Sequence, residues 1–257
     1  MRKPRILIVD IETSPLISYT WGTFQQDVPI NQIVEDWHLL SFSAKFIGES
    51  KIFYLDQRNA KDIRNDKPLL KKLWDLLDEA DLVVGQNLDA FDVKRINTRF
   101  IVHEMQPPSS YRTIDTLKMA RKSFGFTSNK LEFLSNKLNN THKKSKHKRY
   151  SGFELWKECL AGNLEAWKEM ESYNKKDILA TEELFKKLQP WSKIPDINAY
   201  HDDSKYVCIC GSVDFVKRGF HFTNNGKYQR YTCNKCGKQS HSKTNLLTKE
   251  KRKSLRS

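Results

Sequence analysis

Hydrophobic positions along this chain come in short unbroken runs separated by stretches of helical spacing. Residues 5–9, Arg-Ile-Leu-Ile-Val, are apolar after a single Arg and predict a buried strand. Residues 38–47 and 51–56 are rich in Phe, Leu, Ile and Tyr, with Gly48-Glu49 between them, and predict a hairpin. Leucines then recur at 69, 70, 73, 76 and 77, behind Asp66 and Pro68, which predicts a helix capped by Asp66. Leu82-Val83-Val84 predicts a short buried strand ended by Gly85. A helix follows from about Asp89, with Phe91, Ile96 and Phe100 as its inner face, and then a strand over 112–115. Helical spacing fills 116–138 and 153–188, broken by a basic loop and by Gly162. Strands alternating with helices in this order predict an α/β fold, a mixed sheet flanked by helices.

Pro190 and Pro195 punctuate a linker. The expected division is a domain over 1–190, a linker over 191–205, a small cysteine-bearing domain over 206–241 and a basic tail over 242–257. Charge sharpens this division. The chain of 257 residues carries a formal charge of +14. From residue 201 onward there are 13 Lys and Arg against 4 Asp and Glu, so the last fifth holds most of the excess. Such a module implies a polyanion partner, nucleic acid being the commonest, although a solubilising tail has the same charge. A second basic run comprises Lys143, Lys144, Lys146, Lys148 and Arg149, with His142 and His147. It reads as an exposed loop, either solvated or bound to phosphates. No apolar run reaches the roughly 18 residues of a spanning helix, and the first apolar run is too short for a signal peptide. A reducing cytoplasmic interior is the expected compartment.

Several acids stand where acids are costly. Asp10 and Glu12 close the first strand and, at period two, project from one face. Asp92 falls in the first turn of the helix after Gly85, where the helix dipole favours the ionised form. Tyr173 and Asp177 are four apart on a stripe that runs Ala166, Met170, Tyr173, Asp177, Ala180, Leu184 and Leu188. That stripe should be buried, and a buried acid requires a partner, either a cationic side chain or a metal. Hard oxygen donors suit magnesium or manganese. Two such ions about 4 Å apart would clamp the attacking and leaving oxygens of a phosphodiester. Tyr173 would act through its hydroxyl, orienting the attacking water.

Asp10-Ile11-Glu12-Thr13, Asn87-x3-Phe91-Asp92 and Tyr173-x3-Asp177 resemble the three exonuclease motifs of the DEDD (DnaQ-like) superfamily. The Asn-x3-Phe-Asp spacing is most similar to the proofreading domain of family B DNA polymerases. The resemblance covers roughly residues 1–190 and leaves out any polymerase part. Position 172 is Ser and position 173 is Tyr, which is similar to the tyrosine branch rather than the histidine branch. It implies a ribonuclease H-like fold and 3′→5′ exonuclease activity. It also implies Asp10, Glu12, Asp92 and Asp177 as ligands of two Mg²⁺ or Mn²⁺, with Tyr173 positioning the water. Asp115, in Ile114-Asp115-Thr116-Leu117, is expected to cap a helix or support a ligand. The implied substrate is single-stranded or frayed DNA, with RNA as the alternative. A non-catalytic nucleic-acid adaptor is a third reading. A chain of this plan also looks bacterial or phage-encoded.

Cys208-Ile209-Cys210-Gly211 and Cys233-Asn234-Lys235-Cys236-Gly237 are two knuckles separated by 22 residues. Four thiolates in two knuckles suit one structural zinc, and the segment resembles a zinc ribbon. The first knuckle departs from the usual two-residue spacing, so His201, His221 or His241 are alternative ligands. Phe215, Phe220, Phe222, Tyr228 and Tyr231 are interleaved with Lys217, Arg218, Lys227 and Arg230. This pattern suits base stacking with phosphate contact, or equally a small core with exposed charges. Cys159 sits beside Leu155 and Trp156 and reads as a buried thiol.

Overall fold

The computed structural model describes residues 4–24, 27–142, 149–192, 197–200 and 205–255. The chain divides into two compact units, Arg5–Phe185 and Lys186–Ser257. In the first unit β1 (Ile6–Thr13), β4 (Leu39–Phe46), β5 (Phe53–Asp56), β6 (Leu82–Gly85) and β7 (Arg112–Asp115) form one sheet in the order β5-β4-β1-β6-β7. β1 runs antiparallel to β4 and parallel to β6, and β6 is parallel to β7, so the sheet is mixed. A further pair, β2 (Ile17–Ser18) with β3 (Ile33–Glu35), was not legible from the pattern because its residues do not alternate.

Both faces of the sheet are covered. Leu7, Val9 and Ile11 of β1, with Phe42, Ala44 and Phe46 of β4, pack against leucines 69, 70, 73, 76 and 77 of α1 (Lys67–Asp78) and against Ile96 and Phe100 of α2 (Asp92–Val102). The alternate residues of β1 turn to the other face. There α5 (Glu154–Leu160) and the long α6 (Leu164–Leu188) pack Leu155, Cys159, Trp167 and Met170 with Leu40. Leu40 is an extra residue in the β1–β4 ladder, where the register slips between Glu12 and Thr13. The slip turns Leu40 to the α6 side and ends the acidic part of β1. A buried ion pair, Lys45 Nζ to Glu182 at 2.5 Å, ties β4 to α6.

Three expectations need correction. α2 begins at Asp92 and not at Asp89, because Asn87 has φ 62° and the chain turns once before the helix starts. The helical run expected over 116–138 is two helices, α3 (Thr116–Ser123) and α4 (Leu131–Lys137), parted at Phe124-Gly125-Phe126. Asp66 stands at the cap position of α1, but its carboxylate does not cap that helix. It accepts from the Leu39 N–H at 2.7 Å and from Arg99 at 2.7 and 2.8 Å, and meets His103 Nε2 at 2.6 Å.

Asp66 is fully buried. Burial alone would raise its carboxyl, but Arg99, the Leu39 N–H and His103 together hold it below the ordinary range. A depressed carboxyl stabilises the fold above the unfolded value of about 3.9, and that stability fades as pH falls through the folded value. Asp66→Asn should therefore lower stability near neutrality by about 3 kcal/mol, by leaving Arg99 unpaired. The gap in melting temperature between wild type and variant should narrow over the acidic interval below about pH 4. A gap that stays constant over that interval would remove the ion pair from the account.

In the second unit β8 (Phe215–Thr223), β9 (Gly226–Cys233) and β10 (Gln239–His241) form an antiparallel sheet in the order β10-β9-β8. The segment expected as a linker includes two short 3-10 turns, Gln189–Trp191 and Ile197–Tyr200. The segment expected as a tail holds α7 (Lys249–Ser254), capped by the Thr248 hydroxyl, which accepts from the Lys251 N–H at 3.2 Å.

Candidate active site and cysteine centre

Three elements meet at the end of β1. Asp10 and Glu12 lie opposite Ser43 and Ser41 of β4, all four on the face that α6 covers. Two small serines leave room for carboxylates beside a packed helix. Asp92, at the start of α2, is buried and accepts from the Ile11 N–H at 3.2 Å, so it sits against the strand between Asp10 and Glu12. Burial pushes the Asp92 carboxyl up to about 7, with the Asp115 carboxylate adding to the rise and the Ile11 N–H opposing it.

Asp115 caps α3 by accepting from the Leu117 N–H at 2.9 Å. It also accepts from the Asn87 N–H at 3.0 Å and the Asp89 N–H at 3.4 Å. One carboxylate thus shapes the turn that leads to Asp92 while capping the next helix, the first of the two roles expected of it. The Asp89 side chain pairs with Lys118 at 2.7 Å.

α6 brings the remaining groups. Tyr173 and Asp177 are both buried, along with the rest of the stripe from Ala166 to Leu188. The Tyr173 ring meets Trp156 of α5 edge-on, with centroids 6.5 Å apart. Asn174 is a residue the sequence reading passed over. It is fully buried, and its amide donates to the Asp10 carboxylate and, at 3.5 Å, to the Asp10 carbonyl. It lies inside the Tyr-x3-Asp spacing, and a polar residue beside the buried stripe was the available signal.

The carboxylates of Asp10, Glu12, Asp92 and Asp177 do not share one tight set of ligand atoms. Among the described residues, such a set is made by Cys208, Cys210, Cys233 and Cys236, whose sulfurs all lie within 4.8 Å of one another. The acids nonetheless fit a hard divalent cation. They offer only oxygen, and Asp92 and Asp177 are 3% and 2% exposed, where an ionised carboxylate calls for a counter-charge.

The cysteine set fits zinc. Cys208 and Cys236 sulfurs are 3.5 Å apart and those of Cys210 and Cys233 are 3.7 Å apart. A tetrahedron with Zn–S bonds of about 2.3 Å has edges of about 3.8 Å. The short first knuckle closes through Gly211, at φ 82°, whose N–H donates to the Cys208 carbonyl at 2.7 Å. Gly237, at φ 75°, closes the second in the same way on Cys233 at 2.9 Å. Burial would raise the Cys233 thiol, but the N–H groups of Cys236 and Lys235, with the neighbouring sulfurs, bring it down to about 7. No histidine is needed to complete the four. His221 and His241 stack on each other at 4.3 Å, and His201 lies outside the described residues.

The basic residues separate into three groups. Lys143, Lys144, Lys146 and Lys148 lie outside the described residues. Arg149 is exposed, and its backbone N–H donates to Glu169 at 3.3 Å. On the three-stranded sheet of the second unit Lys217 and Arg218 are exposed, and Arg230 Nε donates to the Arg218 carbonyl at 2.7 Å. Lys227 Nζ stands 3.9 Å from the centroid of Phe220 and 6.0 Å from that of Phe222. Phe220 and Phe222 are exposed, whereas Phe215, Tyr228 and Tyr231 are half-buried. The aromatic set therefore divides between an outward pair and a small interior.

The RNase H superfamily model matches residues 36–189. The matched span holds Asp92, Tyr173 and Asp177, and Asp10 and Glu12 precede it. Among solved structures, the family B DNA polymerase from the hyperthermophilic archaeon Pyrobaculum calidifontis is similar, with a TM-score of 0.51 and 13% identity. The match covers 74% of this chain and 25% of that polymerase, so the chain spans about a quarter of its length. At that identity the likeness is one of fold. No curated protein matches the sequence. With a five-stranded mixed sheet flanked by helices and a family match over most of the first unit, the chain belongs to the RNase H superfamily.

Proposed function

We propose that the chain is a metal-dependent 3′→5′ exonuclease of the tyrosine branch. It would act on single-stranded or frayed DNA and release nucleoside monophosphates. The observation that carries this reading is the convergence at the end of β1. Asp92 of α2 bonds the strand between Asp10 and Glu12, and Asn174, in the turn of α6 between Tyr173 and Asp177, bonds Asp10. The superfamily match and the likeness to a polymerase fold support it.

Asp10, Glu12, Asp92 and Asp177 would hold the ions. When bound, two divalent cations supply charge stabilisation for the attacking and leaving oxygens. The chain's own groups do the rest. Asn174 fixes the rotamer of Asp10, and Asp115 fixes the turn that carries Asp92. Trp156 holds the Tyr173 ring, whose hydroxyl orients the attacking water. Hydrolysis then leaves a 3′ hydroxyl on the shortened strand and a 5′ phosphate on the released nucleotide.

The domain over 206–241 is read as a zinc ribbon. Lys217, Arg218, Lys227 and Arg230, with the basic residues 143–149 and the tail over 242–257, would contact phosphates. Outward Phe220 and Phe222 supply stacking surface. With 5′-labelled strands and Mg²⁺, wild type should produce a ladder that shortens from the 3′ end. Internal cuts at the earliest times would make the enzyme an endonuclease. Faster shortening of RNA than of DNA would make it an exoribonuclease. Tight, salt-sensitive binding without any cut would leave an adaptor.

A further inference from the structure

A cleft opens beside the acids, lined by Thr13, Leu16, Trp37, Arg95, Phe153 and Trp156 among others. Three of its lining residues adjoin candidate catalytic residues. Thr13 follows Glu12 on β1. Arg95 lies one turn beyond Asp92 on α2. Trp156 holds the ring of Tyr173. Arg95 is the cation of this wall. Its guanidinium lies over Trp37 at 4.1 Å and near Phe91 at 5.3 Å. Its Nη1 is buried without a hydrogen-bond acceptor. Nη1 is closed off from solvent, but the other guanidinium nitrogens are not, and with no protein acceptor on them among the described residues they are the donors an external acceptor can take. Stacking on an aromatic ring also holds the planar fork in place, which suits bidentate capture of a phosphate.

We propose that Arg95 binds a phosphodiester of the strand being cut, while Phe153 and Trp156 on the cleft wall receive a base. Phe153 is 63% exposed and free to be covered by one. The inference rests on the nuclease reading and assigns part of its substrate recognition to this cleft. It concerns a residue outside the three acidic motifs. Arg95 is a binding group, and removing its charge should leave the acid cluster intact.

The test compares wild type with Arg95→Met, which keeps an apolar stem on Trp37, and with Arg95→Lys, which restores a charge. Binding is read by anisotropy of a labelled single-stranded dT oligomer with Ca²⁺ in place of Mg²⁺, across a salt series. Losing one phosphate contact should lower the salt slope by about 0.7 for a single strand. With Mg²⁺, Arg95→Met should raise KM about tenfold and leave kcat within about twofold. Arg95→Lys should recover most of the slope. If slope and KM stay at the wild-type values in Arg95→Met, Arg95 merely packs on Trp37 and the proposal is overturned. If wild type binds but never cuts, the nuclease reading fails, and the change in slope still decides the phosphate contact. If wild type binds no strand at all, both fall.

Discussion

If the proposed activity holds, Asp177→Ala should lower the rate of strand shortening by roughly 10³-fold, the scale expected when several kcal/mol of transition-state stabilisation are lost. The variant should keep its fold. Asp177 lies on the buried stripe of α6 between Tyr173 and Ala180, and alanine is the better helix former in an apolar setting. Its melting temperature should therefore match or exceed that of wild type. These two results together separate a ligand from a structural acid, since an acid that serves only the packing would cost stability when removed. End-labelled strands with Mg²⁺ or Mn²⁺, beside a thermal melt of the same preparation, make the measurement. Undiminished cutting by Asp177→Ala would remove this residue from the chemistry.

Removal of the zinc proposed for the four cysteines should have the second large effect. The second unit has a three-stranded sheet, and several of its aromatics face outward. So small a core is marginal by itself. Binding of a structural zinc to such modules is worth about 10 kcal/mol or more, and that free energy is folding free energy. A strong chelator, or Cys233→Ser, should melt β8, β9 and β10 while the first unit keeps its own transition. Metal analysis should return one zinc per chain. Cys159→Ala should leave that count unchanged, because Cys159 is buried in the first unit and burial pushes its thiol up to about 12. Amide protection in β9 that survives complete chelation would show that the four sulfurs do not need an ion.

Much of this was legible along the chain. The strands at 6–13, 39–46 and 82–85 were readable because each carries a cluster of apolar residues, and burial on both faces demands such clusters. The face of α6 that carries Tyr173 and Asp177 was readable because helical period is local. The knuckles were readable because the turn between two ligands is local too. The start of α2 was misplaced, because the turn before it is shaped by Asp115, whose carboxylate comes from 28 residues away. The cap role of Asp66 was misread for the same reason. Its partners Leu39, Arg99 and His103 come from a strand and from the far end of α2, and no local pattern brings them together.

The sequence by itself determined the class of fold, the order of its elements, the acids set on buried faces and the four cysteines in two knuckles. Each of these follows from interactions within a few residues, where period and spacing are visible. The tertiary structure alone decided which groups meet. It set Asn174 on Asp10 across 164 residues, laid Arg95 on Trp37, and assembled a cleft from a strand end and two helices. A hydrogen bond or a ring contact has a reach of a few ångströms and no memory of chain separation, so only the folded backbone chooses those partners.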